Sequence, residues 1–204
     1  MRIILLLALA IAFWSCNPTN TVAPSGPVMD TTGYDLTDTP GGLQYVTKKD
    51  ENGNLLENGY LENGVKQGTW STYTSAGPFP KTTTSYVNGN YHGLYLSFND
   101  RGQVELIASY RDNKLHGHWG KYRFGRPEES ANYKDGELDG VYTKYFPRDG
   151  KIQTTIEYKD GVQDGYYRFF NEEGQITLEY LYKNGEKVSG GIVTPEEGSD
   201  NPVK

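Results

Sequence analysis

The 204-residue chain is poor in the residues that usually carry chemistry or stabilise a small fold. It has one cysteine, three histidines and two methionines. Because a single thiol has no partner within the chain, an intramolecular disulfide framework is excluded. The sequence also lacks a Gly-rich phosphate loop, a G-x-S-x-G motif and an H-E-x-x-H motif. We therefore expect a protein that is not an enzyme and that needs no cofactor.

Basic residues and long apolar runs are scarce too. Lys and Arg number 20 against 26 Asp and Glu, which gives a formal net charge of -6. Nucleic acid is therefore not an expected partner, because its recognition requires a basic patch. Hydrophobic residues make up only 35% of the chain, whereas glycine occurs 25 times and tyrosine 17 times. This composition favours strands and tight turns over a thick globular core.

The one long apolar run stands at the N-terminus. Ile3 to Trp14 follow a positively charged start, and as a helix they would span roughly 18 Å, too short for a ~30 Å hydrocarbon core. Residues 1–15 are therefore predicted to be a secretory signal peptide. With the lone Cys16 behind it, the segment resembles a bacterial lipoprotein signal, although Phe13 and Trp14 depart from the usual pattern. An ordinary signal peptide with an unpaired cysteine is the alternative.

The same resemblance implies a location and an anchor. Cys16 would become the lipidated first residue, and Asn17, rather than Asp, follows it. In the lipoprotein sorting rule this implies the outer membrane, and the lack of a following acidic run favours its periplasmic side. Residues 16–42 are rich in Thr, Pro and Gly and are predicted to be a flexible tether. Residues 191–204 are predicted to be a disordered tail.

Residues 43–190 contain a repeat of about 24 residues. Each unit has an anchor residue two positions before an Asn-Gly, Asp-Gly or Asp-Asn pair. The anchors are Leu61, Tyr86, Tyr110, Tyr133, Tyr158 and Tyr182. In the first five units a glycine stands seven positions after the anchor, and an aromatic residue nine positions after it: Trp70, Tyr95, Trp119, Tyr142 and Tyr167. A second aromatic residue stands twelve positions after the anchor: Tyr73, Phe98, Tyr122, Tyr145 and Phe170.

Each unit is predicted to form a β-hairpin. Apolar and polar residues alternate before the anchors, and a period of two indicates a strand. The Asn-Gly and Asp-Gly pairs are typical of two-residue type I′ turns. The predicted fold class is therefore all-β: an elongated antiparallel meander of tandem hairpins that forms a single twisted sheet of about eleven strands.

The turns also predict which residues face each other. Tyr158 should lie opposite Gln163, Ile156 opposite Gly165, and Thr154 opposite Tyr167; likewise Ala108 should pair with Gly117 and Leu106 with Trp119. A β-bulge at the glycine is the alternative. The aromatic residue twelve positions after the anchor has the opposite parity from the one nine positions after it. It either lines the other face or follows a bulge.

The repeats resemble MORN repeats, in the variant with an N/DG turn, a G-x-W/Y core and a second turn that ends in glycine. The segment "YKDGELDGVYTKYFPRDGKI" and its copies carry the resemblance, which covers residues 43–190. It implies the hairpin fold but no single function, since the family includes scaffolds, domains appended to enzymes and bacterial proteins labelled as antitoxins. A cytoplasmic antitoxin role conflicts with the export signal, so an antitoxin-like binder is a lesser alternative.

The aromatic residues that stand nine positions after the anchors leave two interpretations open. Alternation places them on one face with the anchors, either as a core or half-covered wall, or as a binding surface for protein or glycan. We expect a non-enzymatic exported lipoprotein scaffold that binds an envelope protein or another copy of itself. Glycan or peptidoglycan binding through the aromatic row is the alternative.

Two groups of polar residues are candidates for a catalytic or metal site. A zinc site formed by His92, His116, His118 and Asp139 has no recognised ligand spacing, so solvated turn residues are expected instead. The adjacent carboxylates Glu128 and Glu129 are likewise expected in a turn, facing solvent, rather than as an acid-base pair.

Overall fold

The computed structural model describes residues 26–74 and 77–194. The predicted signal peptide, Cys16 and residues 195–204 of the predicted tail lie outside the described residues. Within the described ranges the chain forms strands and turns and no helix. Accordingly, these ranges offer no helical segment with the length and apolarity needed to span a membrane.

The strands of the described ranges lie in one antiparallel sheet, which confirms the predicted all-β meander. There are fifteen rather than about eleven: β1 (Asp35–Asp38), β2 (Leu43–Lys49), β3 (Leu55–Glu62), β4 (Val65–Tyr73), β5 (Pro80–Val87), β6 (Asn90–Phe98), β7 (Val104–Arg111), β8 (Lys114–Arg123), β9 (Arg126–Lys134), β10 (Glu137–Leu138), β11 (Gly140–Tyr145), β12 (Ile152–Lys159), β13 (Val162–Phe170), β14 (Ile176–Lys183) and β15 (Glu186–Ile192). Neighbours in sequence are neighbours in the sheet, apart from β10, which pairs only with β9. The sheet is open, with β1 and β15 at its ends.

The hairpin turns adopt the predicted backbone conformation. Asn63 and Gly64 have φ of 51° and 79°, the two positive values that a type I′ turn requires. The same pair of positive values recurs at Asn88–Gly89, Asp112–Asn113, Asp135–Gly136, Asp160–Gly161 and Asn184–Gly185. Successive turns are also linked, since the Gly161 N–H donates to the Leu138 carbonyl at 2.8 Å and other turns repeat this bond.

The predicted register is right beside the turn and wrong beyond it. Tyr158 pairs with Gln163 as predicted, but Ile156 pairs with Tyr167 rather than with Gly165. Residues 164–166 lie opposite a single residue of β12, and Gly165 has a φ of 117°. The glycine thus forms the bulge that stood as the alternative, because its backbone reaches a conformation that other residues rarely adopt.

The same bulge recurs along the sheet. Ala108 pairs with Trp119 rather than with Gly117, and the shift again falls between Ala108 and Tyr110. A second register shift precedes each aromatic residue at twelve positions, namely Tyr73, Phe98, Tyr122, Tyr145 and Phe170. The extra residue lies in the partner strand each time, so these residues keep the opposite parity and line the other face, the first of the two expected outcomes. The Tyr145 hydroxyl accordingly lies 3.0 Å from Ser130 Oγ on that face.

The sheet extends beyond both predicted boundaries of the repeat domain. Strand β1 lies in the predicted tether and pairs with β2. Residues 26–34, which we call the N-terminal strap, also contact the sheet, and the Met29 N–H donates to the Gly64 carbonyl at 2.8 Å. Residues 26–42 therefore belong to the folded sheet rather than to a flexible tether, because Met29 and Tyr34 find apolar partners there. At the other end, β15 runs past residue 191 into the predicted tail.

Candidate binding face

The five aromatic residues predicted to share a face do lie in one row across the sheet. Tyr95 pairs with Thr84 on one side and with Ala108 on the other, and the later repeats follow the same rule. By register, the row is Val46, Gly59, Trp70, Thr84, Tyr95, Ala108, Trp119, Ala131, Tyr142, Ile156, Tyr167 and Tyr180. Since the anchors are two residues further along their strands, they point to the same side. We call this side the tyrosine face.

Large and small residues alternate along this row in its first two thirds. The Trp70 ring lies directly over Gly59, where a Cβ would be 2.2 Å from ring atom Cδ2, and its Nε1 donates to the Tyr60 carbonyl at 3.0 Å. Trp119 has Ala108 and Ala131 as cross-strand neighbours, and these are 0% and 2% exposed. Small residues between the rings thus give them room to pack against the sheet.

At its N-terminal end the tyrosine face forms a closed core. Val46, Leu61 and Trp70 are buried, and Met29 and Tyr34 of the strap pack over them. Trp70 is only 2% exposed and cannot reach a partner while the strap is in place. The other four predicted residues, Tyr95, Trp119, Tyr142 and Tyr167, are half-buried.

A charged group holds the strap on this core. The Tyr34 hydroxyl donates to Glu57 Oε2 at 2.5 Å, and Lys66 Nζ donates to Glu57 Oε1 at 2.9 Å. Lys66 Nζ also lies 4.1 Å from the Trp70 ring centroid, a cation–π contact. Burial acts to raise the pKa of Glu57, but the hydrogen bonds from Tyr34 and Lys66 and the Lys66 charge outweigh it, so this pKa lies below its ordinary value. Sequence reasoning missed this group.

Acidification is expected to loosen the strap. Because the pKa of Glu57 is lower in the folded than in the unfolded chain, its contribution to stability is complete above the unfolded value of about 4.5. That contribution is lost as the pH falls through the lowered folded value. Amide exchange at Met29, measured between pH 6 and pH ~3, should accelerate relative to exchange in β7–β14.

Glu57→Gln is the control for this pH dependence. The amide cannot titrate, so we expect a weaker strap at neutral pH and little further change on acidification. Equal pH dependence in the original chain and in Glu57→Gln would contradict the assignment to this carboxylate.

Beyond the strap, rings pack edge to face along the tyrosine face. The Tyr86–Tyr91, Tyr91–Tyr110 and Tyr95–Tyr110 ring centroids are 5.1, 5.4 and 6.3 Å apart, in T-shaped arrangements. Burial, and then the neighbouring tyrosines, raise the pKa of Tyr110. In the described ranges the main contacts between elements join neighbouring strands, and no second layer covers the face from β6 to β14.

His92 and His116 contact residues of the neighbouring turns, Asp112 and Asp135, whereas His118 lies within β8 opposite Asn132. His116 Nδ1 accepts a hydrogen bond from the Asp135 N–H at 3.3 Å, and Asp139 Oδ2 accepts one from the Asp160 N–H at 3.2 Å. The equivalent residues Gln67 and Asp164 bind the next turn in the same way. Among the described residues, no three His, Cys, Asp or Glu side chains are grouped so as to hold a metal ion.

These hydrogen bonds from a turn N–H to a side chain of the preceding repeat predict how substitutions at that side chain change stability. Asp139→Ala removes the acceptor for the Asp160 N–H and should lower the free energy of unfolding by about 1 kcal/mol. Asp139→His should keep most of the stability, because His116 accepts the same bond one repeat earlier. Urea unfolding measures both, and equal losses would show that the link contributes nothing.

The adjacent carboxylates Glu128 and Glu129 are not in a turn, contrary to expectation. Both lie within β9, and Glu128 binds Arg123 Nε at 2.7 Å. Glu129 points to the tyrosine face, where its Oε2 accepts a hydrogen bond from the Tyr142 hydroxyl at 2.9 Å. Burial and this hydrogen bond raise the pKa of Tyr142 to about 12.

Comparisons with known proteins leave the family of this chain open. No protein-family model matches the sequence, and no curated protein matches it either. The crystal structure of TarM is similar at a TM-score of 0.26 and 11% identity, over 63% of this chain and 21% of TarM. A mutant of S. aureus TarM in complex with fondaparinux, alpha-GlcNAc-glycerol and UDP is similar at a TM-score of 0.19 and 10% identity, over 78% of this chain and 21% of the other. This chain thus spans about a fifth of their length, and likeness this slight supports no inference about function.

Proposed function

We propose that the chain is a non-enzymatic, exported lipoprotein that binds another protein of the bacterial envelope through its tyrosine face and so acts as a scaffold. One observation carries the proposal. The row of rings is sealed beneath the strap at Trp70, but it is half-exposed from Tyr95 to Tyr180. A row of partly exposed aromatic residues of this kind is typical of protein interfaces.

The strap supports a peptide or protein as the occupant. It covers the first part of the face with one apolar side chain, Met29, one aromatic side chain, Tyr34, and a backbone hydrogen bond to a turn carbonyl. A partner that presents similar groups could cover the remainder of the same face. Since the hairpins repeat, the later turns offer the same backbone geometry.

Anchoring at the periplasmic side of the outer membrane is the second part of the proposal, and it rests on the sequence around Cys16. Cys16→Ser should remove the lipid and move the protein from the membrane fraction to the soluble fraction. Placement among MORN-like repeat proteins rests on the repeat sequence together with the hairpin meander, and it implies no particular partner.

Photo-crosslinking at two adjacent residues tests the protein-binding face. Tyr167 lies on the tyrosine face, whereas Tyr166 pairs with Leu181 and points to the opposite face. A photoreactive phenylalanine analogue at position 167 should give a discrete crosslinked species in the native envelope, and the same group at position 166 should not. A product at twice the chain mass would identify the partner as a second copy. Equal or absent products at both positions would contradict the proposal.

Glycan binding is the second candidate, and Trp119 is the observation in its favour. Its indole is half-buried between two buried alanines, which leaves part of the ring open to stack on a sugar. Trp119→Ala should then abolish retention on peptidoglycan or polysaccharide. Unchanged retention, or none in the original chain, would remove this candidate.

A further inference from the structure

The first and fourth repeats carry the same group of side chains on the tyrosine face. The corresponding residues are Glu57 and Glu129, Trp70 and Tyr142, and Tyr86 and Tyr158. Their register is also the same, since Tyr86 pairs with Gly68 and Tyr158 pairs with Gly140. Each group therefore places one carboxylate and two aromatic residues at equivalent positions of neighbouring strands.

In the first repeat this group holds an ammonium ion of the chain itself. Lys66 Nζ lies 2.9 Å from Glu57 Oε1, 4.1 Å from the Trp70 ring centroid and 5.4 Å from the Tyr86 ring centroid. The second carboxylate oxygen of Glu57, Oε2, accepts a hydrogen bond from the Tyr34 hydroxyl. The Lys66 ammonium is therefore held by a charged hydrogen bond to Glu57 and by cation–π contacts with Trp70 and Tyr86.

In the fourth repeat Leu138 stands where the first has Lys66, and it pairs with the anchor Tyr133 as Lys66 pairs with Leu61. Glu129 Oε2 accepts a hydrogen bond from the Tyr142 hydroxyl, just as Glu57 Oε2 accepts one from the Tyr34 hydroxyl in the first repeat. No hydrogen bond or ion pair from within the described ranges reaches Glu129 Oε1. This repeat has the acceptor and the rings but no amine of its own at the equivalent position.

Two lysines flank Glu129 on the same face but do not bind it. Lys121 and Lys144 are its cross-strand neighbours. Lys121 Nζ instead lies 3.4 Å from Glu128, and neither lysine is within ion-pair distance of Glu129. Glu129, Leu138, Tyr142 and Tyr158 are all half-buried, so an amine from outside can approach while part of its hydration is removed.

We propose that Glu129, Tyr142 and Tyr158 form a binding site for the ammonium group of a lysine side chain on the partner protein. The inference rests on the proposed function only for the origin of that lysine. Glu129 Oε1 accepts a hydrogen bond from the ammonium, and the two tyrosine rings face its positive charge, as Trp70 and Tyr86 face Lys66 in the first repeat.

Titration of the folded chain with Nα-acetyl-lysine amide tests the site. The ring signals of Tyr142 and Tyr158, followed by NMR in tyrosine-labelled protein, should shift and saturate in roughly the millimolar range. Nα-acetyl-norleucine amide, which has the same stem without the charge, should not shift them. Glu129→Gln should weaken the binding about tenfold, since it replaces a charged acceptor with a neutral one.

Leu138→Lys is the matched variant, because it places a lysine at the position that Lys66 has in the first repeat. Its own ammonium should occupy Glu129 and abolish the titration, while an otherwise unchanged spectrum shows that the fold is kept. The inference is overturned if the lysine amide gives no saturable shift, if the norleucine amide gives the same shift, or if Glu129→Gln and Leu138→Lys both bind as the original chain does.

Crosslinking from position 167 distinguishes a failure of the lysine site from a failure of the proposed function. A partner captured equally well by the original chain, Glu129→Gln and Leu138→Lys would overturn the lysine site and leave the scaffold function in place. Saturable amine binding with no captured partner would support the ammonium site and count against the scaffold function.

Discussion

Replacing Gly59 with alanine is expected to lower the free energy of unfolding by about 3 kcal/mol. An added Cβ would lie 2.2 to 2.5 Å from three atoms of the Trp70 indole. The ring has little room to move, because it is 2% exposed and its Nε1 is bonded to the Tyr60 carbonyl. Urea unfolding followed by tryptophan fluorescence measures the loss.

Two controls separate crowding from the general cost of changing a glycine. Gly191→Ala adds its methyl group where no atom lies within 4 Å and where φ is not in the left-handed region, so it should change stability by less than about 0.5 kcal/mol. In a Trp70→Leu background, Gly59→Ala should cost clearly less than in the original chain, since the clashing ring is gone. A full cost in that background would show that the indole is not the cause.

Truncating Trp70 to alanine is expected to cost about 3 to 5 kcal/mol, the usual range for removing a buried aromatic side chain. The change removes the ring that covers Gly59 and leaves Val46 and Leu61 with water on one side. It also removes one of the rings that Lys66 faces, so the contacts that hold the strap weaken with it.

The loss should be local rather than global. Because each strand of this sheet contacts mainly its neighbours, damage at one end need not spread to the other. Hydrogen exchange should accelerate in β1–β5 and stay nearly unchanged in β11–β14. Trp119→Ala is the comparison, since that ring is half-exposed and its loss should cost less. A uniform acceleration along the whole sheet would contradict the picture of independent neighbours.

The sequence predicted those parts of the fold that are set by local chemistry. Asp160-Gly161 and its equivalents require positive φ at both positions, and few conformations other than the type I′ turn satisfy them. The register beyond Gly165 was wrong, because a glycine seven positions after an anchor is compatible with both a regular pair and a bulge. The face was nonetheless right, since the bulge adds two residues and an even shift keeps Tyr167 on the side of Tyr158.

The strap and its charged group could not be predicted in the same way. Residues 26–34 have the composition of a coil, and their few apolar or aromatic side chains include Val28, which stays exposed, and Met29 and Tyr34, which enter the core. Whether they do depends on an apolar surface formed by residues more than ten positions away, which no local pattern encodes. The recurrence of Glu57 as Glu129, four positions before an anchor, was the one available signal for the carboxylates.

Docking of the strap changes how far the sheet can stand from a lipid surface. Gly26 packs against Gly89, so only residues 17–25 remain between Cys16 and the first described contact. At full extension these residues reach at most about 30 Å, whereas residues 17–42 would reach about 90 Å if all of them were free. If Cys16 carries the proposed anchor, the first strands of the sheet stay within about 30 Å of the lipid surface. Release of the strap alone would free residues 17–34 and about double this reach, because β1 remains paired with β2.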